Sequence, residues 1–354
     1  MGCQKLSRKC LHLVTEYQGR GLYSLSRMGI SSLFYPSTAA AEAAEVEYKE
    51  DVVRNLIDVF ALLGKSNILC SNKCGYTSIY DTQEHAFIAM PDQNSPKGPR
   101  CIATYIARTA AHARSDFELS PKVDYNVFDR KPIGERNDSL HLMHMDQDNP
   151  CSFEVLACYP VGNWGWRELP APPFFGDPDY KAPGNVAFAV VDGMGICVSS
   201  ATATYLFDTV DMEWRKTGDW VLPFHAKAEY IPELRLWIGR SASRPNDLCA
   251  LDLSPAFGGS GDVPLPMVQH IGMDVDLPEE WSLRDRTLVN LGSGRLCIVS
   301  FFFHIANDAQ QVVVFTGVRV VPCGNNNQQG ERGHLRLIKH KSKCLITDSI
   351  RYVL

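Results

Sequence analysis

The stretch YLFDTVDMEW, Tyr205 to Trp214, has a counterpart upstream in IYDTQEHAF, Ile79 to Phe87. Both read aromatic-Asp-Thr, four free positions, aromatic: Tyr80-Asp81-Thr82 leads to Phe87, and Phe207-Asp208-Thr209 leads to Trp214. Each copy has a cysteine eleven residues before its aspartate, Cys70 and Cys197, and the copies stand 127 residues apart. Asp-Thr after an aromatic strand residue is turn chemistry, because the short carboxylate accepts hydrogen bonds from backbone amides a few residues on. The chain then reverses, and the second aromatic falls on the returning strand, where it can bury roughly 150–250 Å² against a neighbouring sheet. Each copy thus predicts a hairpin capped by Asp81 or Asp208, with Phe87 or Trp214 as a buried peg at equivalent places.

Outward from these hairpins the text keeps the same grammar. Short β-branched and aromatic runs such as SNILCSN, SFEVLACYP, VAFAVVDG, LRLWIGRS and QVVVFTGVRVV alternate with Gly, Pro, Asn, Asp and Ser. Runs of five to eight residues between such breakers predict an all-β protein. Partial echoes of the hairpin occur around Trp166 and at Asp252. Small antiparallel sheets returning every 40–50 residues or so are the pattern of a β-propeller, here with about six blades, five to seven being compatible. Tandem β-sandwiches are the alternative. The whole chain, residues 1–354, reads as one propeller-like domain, interrupted at 38–51 by an Ala/Glu-rich insertion or linker without an apolar stripe. A ring of blades must join its ends or leave two sheet edges bare. Strands between Cys10 and Met28 are therefore expected to pair with strands between His334 and Leu354 in one composite blade.

Composition narrows the function classes. Of 354 residues, 45% are hydrophobic and 21% charged, and the net charge is -5. That balance offers no electrostatic footprint for nucleic acid or an anionic membrane. No stretch approaches the roughly 18 apolar residues of a membrane span. The start, MGCQKL, places Leu6 where an acylation signal has Ser or Thr, so no lipid anchor is expected. Twelve cysteines without a secretory signal read as reduced thiols of an intracellular protein, in cytoplasm or nucleus.

The residues also resemble a known family. YLFDTVDMEWRKTGDWVLPF looks like a kelch or F-box-associated blade. GLYSLSRM, LFYPST, SPKGP, CSFEVL, WRELPAPPF, VVDGMGICVSS, LVNLGSGRLCI and HLRLIKHKS together resemble a large family, expanded in cereal grasses, whose shared domain has no assigned function. The resemblance runs from about Leu11 to Leu354. It implies a propeller-like fold and a plant source, and it implies no activity. No F-box helices are expected within the first residues of this sequence.

Chemical constellations are weak. LLGKSN lacks the first glycine of a phosphate loop, since Val59 stands there. His141, His144 and Asp146 do not share one strand face. Cys70 and Cys74 stand about 13 Å apart on a continuous strand and have no second Cys/His pair, so no zinc, no other metal and no cofactor is expected. In FHAKAEYIPE, His225, Lys227 and Glu229 alternate with apolar residues and form a candidate binding face on a solvated or channel-facing side. Trp164, Trp166 and Trp220 beside Pro/Gly loops are expected to pack between blades. The function these readings favour is a non-catalytic protein-interaction scaffold of unknown partner. The alternative is a hydrolase or lyase with its active site at the central channel, because propellers host both.

Overall fold

The computed structural model describes residues 8–17, 21–35, 51–54, 57–99, 101–112, 138–159, 164–184, 186–244, 247–256, 267–273, 281–304, 307–323, 334–347 and 350–354, with backbone alone at 51–54, 307–310 and 347. Most of the expected 38–51 insertion lies outside these residues, as does the Met-Gly-Cys start. The described residues hold 24 strands and three short 3-10 turns. The chain divides into two compact units: Met1–Arg54 with Ala187–Ala189 and Leu222–Leu354, and Asn55–Val186 with Val190–Val221.

In the first unit, β1 (Cys10–Tyr17), β2 (Leu22–Gly29) and β3 (Asp51–Arg54) form a sheet with the C-terminal β24 (Ile350–Val353), in the order β24-β1-β2-β3. Chain ends far apart in sequence thus share one sheet, as the closure argument requires. Ile350 packs in a core cluster with Leu11, Leu13 and Met28. His12 and Leu354 exchange both backbone hydrogen bonds at 2.9 Å. The expectation was too broad in one respect. The segment Leu335–Thr347 does not join this sheet; as β23 it ends the sheet β20-β21-β22-β23, with β20 at Trp281–Gly292, β21 at Arg295–His304 and β22 at Asn307–Pro322. Those strands run 12, 10, 16 and 13 residues, well beyond the five to eight read from the sequence. Breakers such as Gly317 do not end them. A Cβ at Gly317 would stand 2.4 Å from the Leu33 carbonyl oxygen, so the glycine permits a close approach of backbones inside a continuous strand. The remaining sheet of this unit runs through β16 (Lys227–Ile231), β17 (Leu236–Arg240), β18 (Leu248–Leu251) and β19 (Gln269–Ile271). Phe188 and Ala189 pair with β16 in parallel.

The second unit holds three four-stranded sets in chain order. They are β4 (Ile57–Leu63) to β7 (Ala86–Ala89), β8 (Ile102–Ala107) to β11 (Trp164–Glu168), and β12 (Phe188–Val191), of which only Val190 and Val191 belong to this unit, to β15 (Glu213–Gly218). Between them run β5 (Asn67–Asn72), β6 (Thr77–Asp81), β9 (Asp138–Met143), β10 (Phe153–Cys158), β13 (Gly195–Ser199) and β14 (Thr204–Asp208). Consecutive strands pair with their immediate neighbours in sequence. This up-and-down order belongs to propeller blades rather than to the Greek keys of sandwiches. One core cluster of this unit is aliphatic, with Leu63, Leu69, Ile79, Leu140, Leu142 and Leu156, while Phe153 and Phe207 are buried elsewhere in it. No helix among the described residues is long and apolar enough to cross a membrane.

Candidate functional site

The two hairpins share the same turn bonds, the same left-handed position and the same aromatic pairing. Asp81 Oδ1 accepts the amides of Gln83 at 2.8 Å and Glu84 at 3.2 Å; Asp208 Oδ1 accepts those of Val210 at 2.8 Å and Asp211 at 3.2 Å. Each turn closes on a left-handed residue, His85 (φ 53°) and Met212 (φ 59°). Across each hairpin the two aromatics are direct partners, Tyr80 with Phe87 and Phe207 with Trp214, with ring centroids 4.9 and 5.1 Å apart. The Thr82 amide donates to Ser66 O and the Thr209 amide to Met194 O, which ties each turn to the hairpin before it.

Thr209 has a further task. Thr109 N–H donates to His112 Nδ1 at 3.0 Å, so the proton of the neutral ring sits on Nε2, 3.0 Å from Thr209 Oγ1. Thr209 in turn donates to Met194 O at 2.5 Å. Desolvation holds His112 neutral, with its pKa lowered to about 4.

A third hairpin has the same spacing and escaped the sequence template. Tyr230 pairs with Trp237 across β16 and β17 with centroids 4.5 Å apart, and Arg235 takes the left-handed position (φ 55°). Ile231 and Pro232 replace the Asp-Thr, so the carboxylate cap is gone. The common signal is an aromatic seven residues before another aromatic, at 80/87, 207/214 and 230/237.

The two pegs differ in burial. Trp214 is half-buried, its ring near Phe153 and Phe174, and its Nε1 donates to Pro170 O at 2.8 Å. Phe87, expected inside, is 42% exposed. The Trp214 ring is met by Phe174, from the 3-10 turn at Pro173–Gly176, whereas Tyr80 is the aromatic partner of Phe87. Phe87 therefore stands on an unusual strand. β7 is the outer member of its sheet and reads AFIA, with three of its four residues exposed and none charged. The outer strands β11 and β15 carry Arg167 and Glu168, and Glu213, Arg215 and Lys216. Trp166 of β11 donates from Nε1 to Pro91 O at 2.8 Å.

The polar strip on β16 is a paired surface. Lys227 Nζ lies 3.0 Å from Glu229 Oε1, with side chains 40% and 16% exposed. His225 precedes the strand and is half-buried; burial lowers its pKa. A second ion pair, absent from the sequence analysis, starts in the loop between β7 and β8 that holds Ser95, Pro96 and Lys97. Lys97 from that loop is buried, with Nζ 2.5 Å from Glu154 Oε1. Glu154 Oε2 accepts Asn94 N at 3.1 Å and Asn94 Nδ2 at 2.8 Å. Nothing local announces this pair, since its partners are 57 residues apart.

The thiols and imidazoles of the interior are packing groups. Burial raises the pKa of Cys101, Cys249 and Cys297 to about 12, and pushes Cys70 and Cys197 higher. A buried thiol of this kind has little thiolate and acts as a small hydrophobe. Cys74, the second zinc suspect, is exposed, while Cys70 is buried on β5. Among the described residues no group of three or more His, Cys, Asp or Glu is placed to hold a metal ion.

These repeated hairpins and four-stranded sheets define an all-β protein built of propeller-like blades. The chain belongs to the family described as "Protein of unknown function (DUF1668)", which matches residues 8–345. No curated protein matches it. Among solved structures, a chain from "Complex of KlAtg21 with coiled-coil of AgAtg16" is similar, at 12% identity and a TM-score of 0.40, over 94% of this chain and 99% of that chain.

Proposed function

We propose that the protein is an interaction scaffold that captures an extended segment of a protein partner along β7. The observation that carries this reading is the exposed, uncharged AFIA edge with Phe87 at its centre. Native edge strands are commonly blunted by charge, bulges or covering loops. An apolar edge offers a partner backbone hydrogen bonds, and Phe87 offers an aromatic anchor. The described cysteines are all free thiols, which supports work in a reducing compartment, cytoplasm or nucleus.

The test is cross-linking mass spectrometry in extract of the producing cells, with the wild-type chain and a Phe87→Lys, Ala89→Lys chain. The reading expects a saturable partner cross-linked to residues flanking β7 and lost from the double variant while the variant's melting curve stays cooperative. A partner retained by the variant, or cross-linked only elsewhere, contradicts it.

A further inference from the structure

The face of the β20–β23 sheet that carries Arg286, Ser300 and Val314 lines a groove of about 330 Å³. Cross-strand register places those three in one row, Arg286 opposite Ser300 and Ser300 opposite Val314. Trp281 and Phe302 add aromatic surface, and Lys339 stands among the lining residues. Ile346, opposite Val312 on the same face, is 71% exposed. The lining contains two cationic side chains and no acidic one.

Arg286 is the anomaly. It is only 2% exposed, and its Nε donates to Ser300 Oγ at 3.1 Å. Its Nη1 and Nη2 are buried and find no hydrogen-bond partner among the described residues. The adjacent carboxylate does not serve it. Asp285 accepts Arg240 Nη1 at 2.6 Å and the Arg286 amide at 2.7 Å. Arg240 also donates to the Arg286 carbonyl, which adds a second positive charge nearby. Burial and Arg240 both lower the Arg286 pKa, yet a guanidinium remains charged at cellular pH. A buried, uncompensated charge is costly unless something pairs with it.

We propose that this groove is a binding site for a small amphiphilic monocarboxylate, its head paired with the two free Nη atoms of Arg286 and its apolar tail laid along Val314, Phe302 and Trp281. The planar fork of arginine matches a carboxylate with two parallel hydrogen bonds. The volume falls at the low end of the range for small-molecule pockets. The head reaches both Nη atoms by turning aside the side chains that now shield them. The site lies apart from β7 and stands independently of the scaffold reading.

Octanoate is the probe, with octanol as the neutral tail, acetate as the head alone and octylamine as the opposite charge. Binding is read by tryptophan fluorescence, to which Trp281 contributes, and by calorimetry. Saturable octanoate binding is expected, with at least tenfold weaker binding of the other three. Arg286→Met should abolish the preference for octanoate over octanol and raise the melting temperature, because an unpaired charge is removed. Val314→Trp, which fills the groove and leaves Arg286 in place, should block both ligands. Equal binding of octanoate and octanol by the wild-type chain overturns the proposal. So does octanoate binding that survives both substitutions, or no saturable octanoate binding at millimolar concentration.

Discussion

Trp214 and Phe87 occupy the same position in two hairpins and do different work. Trp214 is wedged among aromatic rings and holds a hydrogen bond, whereas Phe87 leans on Tyr80 with 42% of its surface in solvent. Full burial of such a ring is worth about 3–5 kcal/mol on truncation, and the half-buried Trp214 should give about 2–3. Phe87→Ala should stay under about 1 kcal/mol, as exposed substitutions do. Urea unfolding of the two variants checks this, and equal losses would mean the pegs are equally buried. The asymmetry was invisible in sequence because both copies satisfy the same local rule. What covers a peg is decided by residues far along the chain. Lys97 teaches the same lesson: nothing within SPKGP points to its partner Glu154, 57 residues away.

Among elements, turn chemistry was the most legible layer. Asp81 and Asp208 cap their turns by a local geometry that the Asp itself dictates. The Tyr230–Trp237 hairpin was missed because Ile231 and Pro232 make its turn without that cap. The long strands of the β20–β23 sheet were missed because glycine was read as a breaker. At Gly317 it serves instead to admit the backbone of the 3-10 turn Ser31–Leu33, held nearby by Phe34, whose ring meets His340 at a tilt with centroids 5.0 Å apart. Gly317→Ala should force these backbones apart and destabilise the fold by about 1–3 kcal/mol, the range for an overpacked core. Differential scanning calorimetry should show a lower melting temperature; an unchanged one would mean that the turn does not rest on β22. The groove on this same sheet was not legible either, because an arginine in strand text reads as a solvated side chain until its burial is known.

For the whole molecule, buried neutral histidines set a pH limit on stability. His12 and His112 have pKa values lowered to about 4 and His141 to about 3, desolvation being the first cause in each. Between the ordinary value near 6.5 and these values, the unfolded chain binds protons that the folded chain refuses. Stability therefore rises with pH in that window and is lost on acidification, by up to about 1.4 kcal/mol per pH unit for each histidine. The urea midpoint should fall between pH 7 and pH 5, and His112→Gln should flatten that slope. A midpoint independent of pH would contradict the burial of these rings. The all-β class and the pairing of the two chain ends were legible because alternating runs and bare sheet edges are constraints on the entire chain.

That pairing is the claim on which the architecture rests, and backbone hydrogen exchange tests it directly. β24 pairs with β1 through Leu13–Val353 and Val14–Tyr352, and the Leu354 amide donates to His12 O. Mass spectrometry of the C-terminal peptide covering 350–354 should show amides protected to the same degree as those of Cys10–Tyr17, exchanging together under mild denaturant. Complete exchange of that peptide within seconds in native buffer, while β1 stays protected, would contradict a shared sheet.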